Sequence, residues 1–152
     1  MSKLKKLSEK FERYDITIDP TTTKDPVNPF GAKATITVLN DTNAIIKRVV
    51  GQCYGAVNVA EAEKEALDKA ISRILGNKET SQLVDKHPSF DIAVDATTTN
   101  NVTFPIGIKV VVGTYDDKNK IIRKAHGIAM GTDILVVEAA AIKSAVKKVL
   151  GE

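Results

Sequence analysis

The residues with the clearest chemical potential are cations that recur at matched places. Lys33 is answered by Lys109, and the adjacent pair Lys47-Arg48 by Arg123-Lys124, each 76 residues further on. Lysine and arginine set along strands can neutralise a phosphate backbone and release its counterions. Tyr54, close to the first pair, supplies a ring on which a base can stack. The same cations have a plainer use, since strand Lys and Arg keep a sheet hydrated and guard its edges.

Other chemistries find less support. His87, read as a surface residue, and His126, read as a half-buried sheet residue, share no spacing with a carboxylate motif. Cys53 is matched by Ala129, so a small buried filler is the simpler reading than a nucleophile. Gly51-x-x-x-Gly55 falls in a strand and explains close packing, not phosphate binding. Asp15 with Asp19, and Asp91 with Asp95, could be metal carboxylates. Solvated acids facing Lys33 or Lys109 across a sheet account for them as well. No catalytic residue, metal ligand or cofactor is assigned, and an enzyme is not expected.

The matched cations belong to a longer self-similarity. Tyr14-Asp-Ile-Thr-Ile-Asp-Pro-Thr-Thr-Thr23 aligns with Phe90-Asp-Ile-Ala-Val-Asp-Ala-Thr-Thr-Thr99. Residues 14–55 pair with 90–131 without a gap and with 15 identities in 42 positions. Ordinary residue frequencies would give about two or three, so the chain reads as one unit written twice, roughly 1–76 and 77–152. Each unit is near the size at which a lone core is marginal. Two halves fused into one pseudo-two-fold body are therefore favoured over two beads.

Each unit reads as helix, three strands, helix, which makes an α+β fold. Tyr14, Ile16 and Ile18 alternate with polar residues, as do Phe90, Ile92 and Val94. The Thr-rich and Pro-rich stretch up to Gly31 reads as a loop. A second strand covers 32–40, Asp41-Thr-Asn43 turns the chain, and a third strand covers 44–55. Asp116 to Asn119 is the matching turn. Asn58 with Glu61 caps a helix that Gly76 stops; Asp133 and Gly151 do the same in the second unit. Weaker helices precede each first strand, carried by Leu4, Leu7 and Phe11, and by Leu83 and Val84. On the third strand the odd positions turn small (Gly51, Cys53, Gly55; Gly127, Ala129, Gly131), which suits a helix lying close. The even positions (Arg48, Val50, Gln52, Tyr54; Lys124, His126, Ile128, Met130) are large and mixed, which suits an open face. The first turn of the last helix, Ile134-Leu-Val-Val137, is apolar on every side and is expected to be covered by the other half or by a second subunit.

Composition bounds the class. In 152 residues, 43% are apolar and 27% charged, as in a soluble globular protein and not a disordered tail. No apolar run is long enough to span a bilayer. The basic start lacks the apolar stretch of a secretory signal, and one cysteine fits a reducing interior, so a cytoplasmic, non-membrane protein is expected. The net charge is +3, and it does not segregate: residues 1–76 hold 12 basic and 10 acidic side chains, residues 77–152 hold 10 and 9.

Phe30-Gly-Ala-Lys-Ala-Thr-Ile-Thr-Val, then Gly51-Gln-Cys-Tyr-Gly55, then Ala60-Glu-Ala-Glu-Lys-Glu-Ala-Leu-Asp-Lys-Ala-Ile-Ser-Arg-Ile-Leu resembles the β-β-β-α core of the single-strand annealing recombination proteins. Gly127-Ile-Ala-Met-Gly131 and Val137-Glu-Ala-Ala-Ala-Ile-Lys-Ser-Ala-Val repeat the pattern. The resemblance spans about 45 residues per unit, and it implies single-stranded DNA binding along a basic groove and oligomeric assembly. Tandem duplication departs from that family's pattern. The topology is also similar to the double-stranded-RNA-binding domain. The helix start that grips phosphate in that domain here reads Val59-Ala-Glu-Ala-Glu-Lys-Glu, and acids at a helix N-terminus repel phosphate. The Whirly and PUR-type single-strand binders are similar in architecture alone.

The expectation is therefore a non-enzymatic single-stranded nucleic-acid-binding protein, for DNA more than RNA, acting in recombination, repair or replication and assembling as a homo-oligomer. Lys33, Lys47, Arg48, Lys109, Arg123 and Lys124 would meet phosphates and Tyr54 would stack. The alternative is an interaction protein that self-associates through its open sheet face. A third reading, a small-molecule enzyme, would need polar groups converging between the halves.

Overall fold

The computed structural model describes residues 3–23, 26–99 and 101–151 and has an α+β fold. The chain divides into two compact units, Met1–Asn77 and Lys78–Glu152.

In the first unit α1 (Lys3–Lys10) precedes three strands, β1 (Tyr14–Thr22), β2 (Phe30–Leu39) and β3 (Ile45–Ala56), and α2 (Val59–Leu75) closes it. The strands form an antiparallel meander in which β1 pairs with β2 and β2 with β3. Alternation decides which side is apolar. Ala32, Ala34, Ile36 and Val38 of β2 and Val49 and Cys53 of β3 are buried against Ala62, Ala66, Ala70, Ile71 and Ile74 of α2. The approach is close because Gly51 has no side chain: a Cβ there would meet the Ala66 carbonyl and lie 2.5 Å from the Ala70 nitrogen. The helix starts where Asn58 accepts from the Glu61 N–H at 2.8 Å. It stops at Gly76, whose φ of 103° suits glycine. The β2–β3 turn is closed by Asn43 in the left-handed region, φ 64°.

The second unit has α3 (Ser81–Lys86), β4 (Phe90–Thr98), β5 (Ile106–Tyr115), β6 (Ile121–Gly131) and α4 (Ile134–Val149). It is again an antiparallel meander with α4 packed on β5 and β6. Gly127 lies against the backbone of Ala141 and Ala145, Asp133 caps α4 through the Leu135 N–H at 3.1 Å, and Asn119 turns the chain with φ 63°. The helix therefore lies on the small-residue face of the third strand in each unit.

Three local expectations are corrected. The first threonines of the run before Gly31 are not loop: β1 continues to Thr22, as β4 does to Thr98. They stay paired because glycine stands opposite, Gly31 across from Thr21 and Gly107 across from Thr97, and each threonine hydroxyl occupies the space a Cβ would fill. His126 is exposed and His87 is half-buried, the reverse of the sequence reading: among the described residues β6 pairs with β5 alone, and His87 lies at the end of α3. The first turn of α4 is not covered all round by its own chain, which leaves a second subunit as the expected cover. Val137 is buried against Gly131, while Leu135 and Val136 are exposed. No helix among the described residues is long and apolar enough to cross a membrane.

Candidate nucleic-acid interface

The sheet face opposite the helices is set by the same alternation. In the first unit Asp15, Thr17 and Asp19 of β1, Lys33, Thr35 and Thr37 of β2, and Arg48, Val50, Gln52 and Tyr54 of β3 lie on it. Asp19 stands directly opposite Lys33, Lys33 opposite Gln52, and Thr37 between Asp15 and Arg48. Arg48 is exposed, Lys33 half-buried and Val50 buried. Three threonine hydroxyls therefore stand among the charges.

Tyr54 is half-buried, and the Lys69 ammonium from α2 lies 5.0 Å from its ring centroid. Lys69 also donates to the Gln52 carbonyl at 2.6 Å, and Arg73 donates to the Val50 carbonyl at 2.8 Å. Two α2 cations thus engage main-chain acceptors of β3 on the side turned away from β2. The Lys69 cation occupies one face of the Tyr54 ring.

In the second unit the face carries Asp91, Asp95, Lys109, Val111, Tyr115, Lys124, His126, Ile128 and Met130. Asp95 stands opposite Lys109, as Asp19 does opposite Lys33. Asp91 accepts from the Gly113 N–H at 3.0 Å and from the Tyr115 hydroxyl at 2.9 Å, which fixes that ring on the face. Lys124 and His126 are exposed, and Lys148 of α4 donates to the His126 carbonyl at 3.0 Å.

Of the residues singled out in the sequence, Lys33, Arg48, Tyr54, Lys109 and Lys124 lie on this face, and Lys47 and Arg123 do not. Lys47 sits on the helix side at 7% exposure with its ammonium 5.1 Å from the Phe11 ring. Burial pulls its pKa down, and repulsion from Lys10 adds to that. A desolvated ammonium under α1 is a poor phosphate ligand. Arg123 reaches across the helix side, where its guanidinium donates to the Val149 carbonyl at the end of α4 at 3.5 Å.

Cys53 is 2% exposed, and its thiol donates to the Glu65 carboxylate at 2.7 Å. Burial pushes its pKa up and the Glu65 hydrogen bond adds to the rise, so the thiolate a nucleophile needs is suppressed. Tyr115 and the threonines are face residues to which the sequence reading gives no place, and His126, placed there by alternation, is given no role. Their strand parity was the available signal. No protein-family model and no curated protein matches this chain.

Proposed function

We propose that the protein binds single-stranded nucleic acid, DNA more than RNA, without catalysing a reaction. The observation that supports this is the pairing of cations on the face away from the helices: Lys33 and Arg48 in the first unit, Lys109 and Lys124 in the second. Lys33 stands between Asp19 and Gln52 and Arg48 beside Thr37, while Lys109 stands between Asp95 and Ile128 and Lys124 beside Gly113. Cations so placed neutralise phosphates; threonine hydroxyls can donate to phosphate or sugar oxygens. Tyr54 and Tyr115 offer rings. The resemblance to annealing proteins points the same way, and a tandem duplication of one α-β-β-β-α unit, packed as a pseudo-symmetric body, is the origin we propose for the matched positions.

The test is a binding series with single strands at several salt concentrations. Arg48→Ala with Lys124→Ala is expected to weaken binding and lower the salt slope by about 1–2, at roughly 0.7 for each phosphate no longer neutralised. Tyr54→Ala is expected to cost about 1–3 kcal/mol with the slope unchanged, because stacking releases no counterions. Lys47→Ala, on the other face, should leave the slope as it is. A double variant with wild-type affinity and slope would remove the nucleic-acid face.

A second reading has its own observation. Ile122, Ile128 and Met130 on β6 are each more than half exposed. A strand this apolar and uncovered suits self-association.

A further inference from the structure

We infer that copies of this chain join head to tail by strand addition, β6 of one copy against β1 of the next. Such assembly does not depend on nucleic-acid binding.

The main chain supplies the bonding groups. The His126 carbonyl accepts from Lys148 and is therefore turned away from β5. In an antiparallel ladder the outward groups belong to every second residue. Lys124, His126, Ile128 and Met130 thus direct N–H and C=O to the outer side of β6. On β1 the Leu39 N–H donates to the Arg13 carbonyl at 3.0 Å, so odd positions bond to β2. Tyr14, Ile16 and Ile18 then turn outward, and Pro20, without an N–H, ends the run. Among the described residues β1 pairs with β2 alone and β6 with β5 alone.

Charge selects the partner. β6, Ile121–Gly131, holds Arg123, Lys124 and His126 and no acid. β1, Tyr14–Thr22, holds Asp15 and Asp19 and no base. Lys124, His126, Asp15 and Asp19 are all exposed. Pairing β6 with β6 would set cation beside cation, and β1 with β1 acid beside acid. Pairing β6 with β1 of a second copy sets opposite charges together and covers Ile128.

Parity then gives the direction. The outward residues of β6 are open-face residues, whereas those of β1 lie on the helix face. In a parallel ladder an outward residue bonds to the two neighbours of the residue beside it. Parallel addition therefore places Lys124 and His126 among Asp15, Thr17 and Asp19 on one face and keeps both helix layers on the other. Antiparallel addition would put the helices on opposite faces and separate the charges. Such a contact is heterologous, and it closes into a ring or propagates as a filament.

The test uses two full-length charge-reversed chains and sedimentation velocity over a concentration series. The first carries Lys124→Glu and His126→Glu, so both of its edges are acidic. The second carries Asp15→Lys and Thr17→Lys, so both are basic. The wild type is expected to grow in mass with concentration, and less so at high salt. Each variant alone should associate at least roughly tenfold more weakly, and an equimolar mixture should recover assembly by alternating the two chains. Circular dichroism checks that each variant is folded; if one is not, the wild type's salt dependence decides. A wild type that stays monomeric, an association indifferent to salt, variants that associate as the wild type does, or a mixture no heavier than its parts would overturn the inference.

Discussion

Gly51→Ala places one methyl group between β3 and α2. Its carbon would meet the Ala66 carbonyl oxygen and stand 2.5 Å from the Ala70 nitrogen and 3.0 Å from the Ala70 Cα. Ordinary contact begins at 3.4 Å, and all three atoms are helix backbone that no rotamer change can move. The helix must therefore retreat by about 1 Å at its middle turns. A gap of that size forfeits about a quarter to a half of the dispersion energy of the atoms along the seam, here Ala62, Ala66, Ala70 and Ile74. Overpacking of this kind costs about 1–3 kcal/mol. The restriction of the unfolded chain when Gly becomes Ala returns about 0.4–1 kcal/mol. The expected net loss is roughly 1–1.5 kcal/mol, which moves the urea midpoint down by about 0.5–1 M at an unchanged slope. Gly127→Ala should behave alike, since its methyl group would lie against the Ala141 carbonyl and 2.5 Å from the Ala145 nitrogen. Gly131→Ala is the control, because among the described residues it crowds one side-chain methyl, Val137 Cγ2, and no helix backbone. A Gly51→Ala midpoint equal to that of Gly131→Ala would refute the close helix–strand seam.

Cys53 should react with a thiol reagent at least ~100-fold more slowly in the native protein than in urea, because it is buried and its thiol is held protonated; comparable rates would contradict the Glu65 contact. Lys47→Met should change the pH dependence of stability in one direction. The folded pKa of Lys47 lies below its unfolded value of 10.5, so its protonation opposes folding at neutral pH, and that penalty fades as pH rises through the folded pKa toward 10.5. The stability advantage of Lys47→Met over wild type should therefore be largest at neutral pH and shrink on approach to 10.5. A difference that is flat or widens with pH would count against a desolvated ammonium.

Much of the fold is legible in the sequence because its determinants are local. Period-two alternation marks Tyr14, Ile16 and Ile18 as one face, and Asn58 and Gly76 punctuate α2 through caps that involve only neighbours in sequence. The small residues at 51, 53, 127 and 129 identify the helix face because close approach demands them wherever the helix lands. The rest depends on partners that sequence does not pair. Lys47 differs from Arg48 only by parity, yet its burial is completed by Phe11, 36 positions earlier. Lys69, Arg73 and Lys148 engage main-chain carbonyls, and a carbonyl acceptor leaves no trace in residue identity. The Thr run before Gly31 resembles a loop until the glycine opposite it is placed. Alternation assigned Lys124, His126, Ile128 and Met130 to the open face but carried no sign that β6 has, among the described residues, a neighbour on one side only, which is what leaves them exposed.

Binding of single strands by the face away from the helices is tested by titrating the intact protein with single-stranded DNA, single-stranded RNA and duplex DNA at low and at moderate salt. Single strands are expected to bind and to bind less as salt rises, DNA ahead of RNA, with duplex DNA bound more weakly. No binding to single strands at low salt, with Lys33, Arg48, Lys109 and Lys124 intact, would contradict the proposed function.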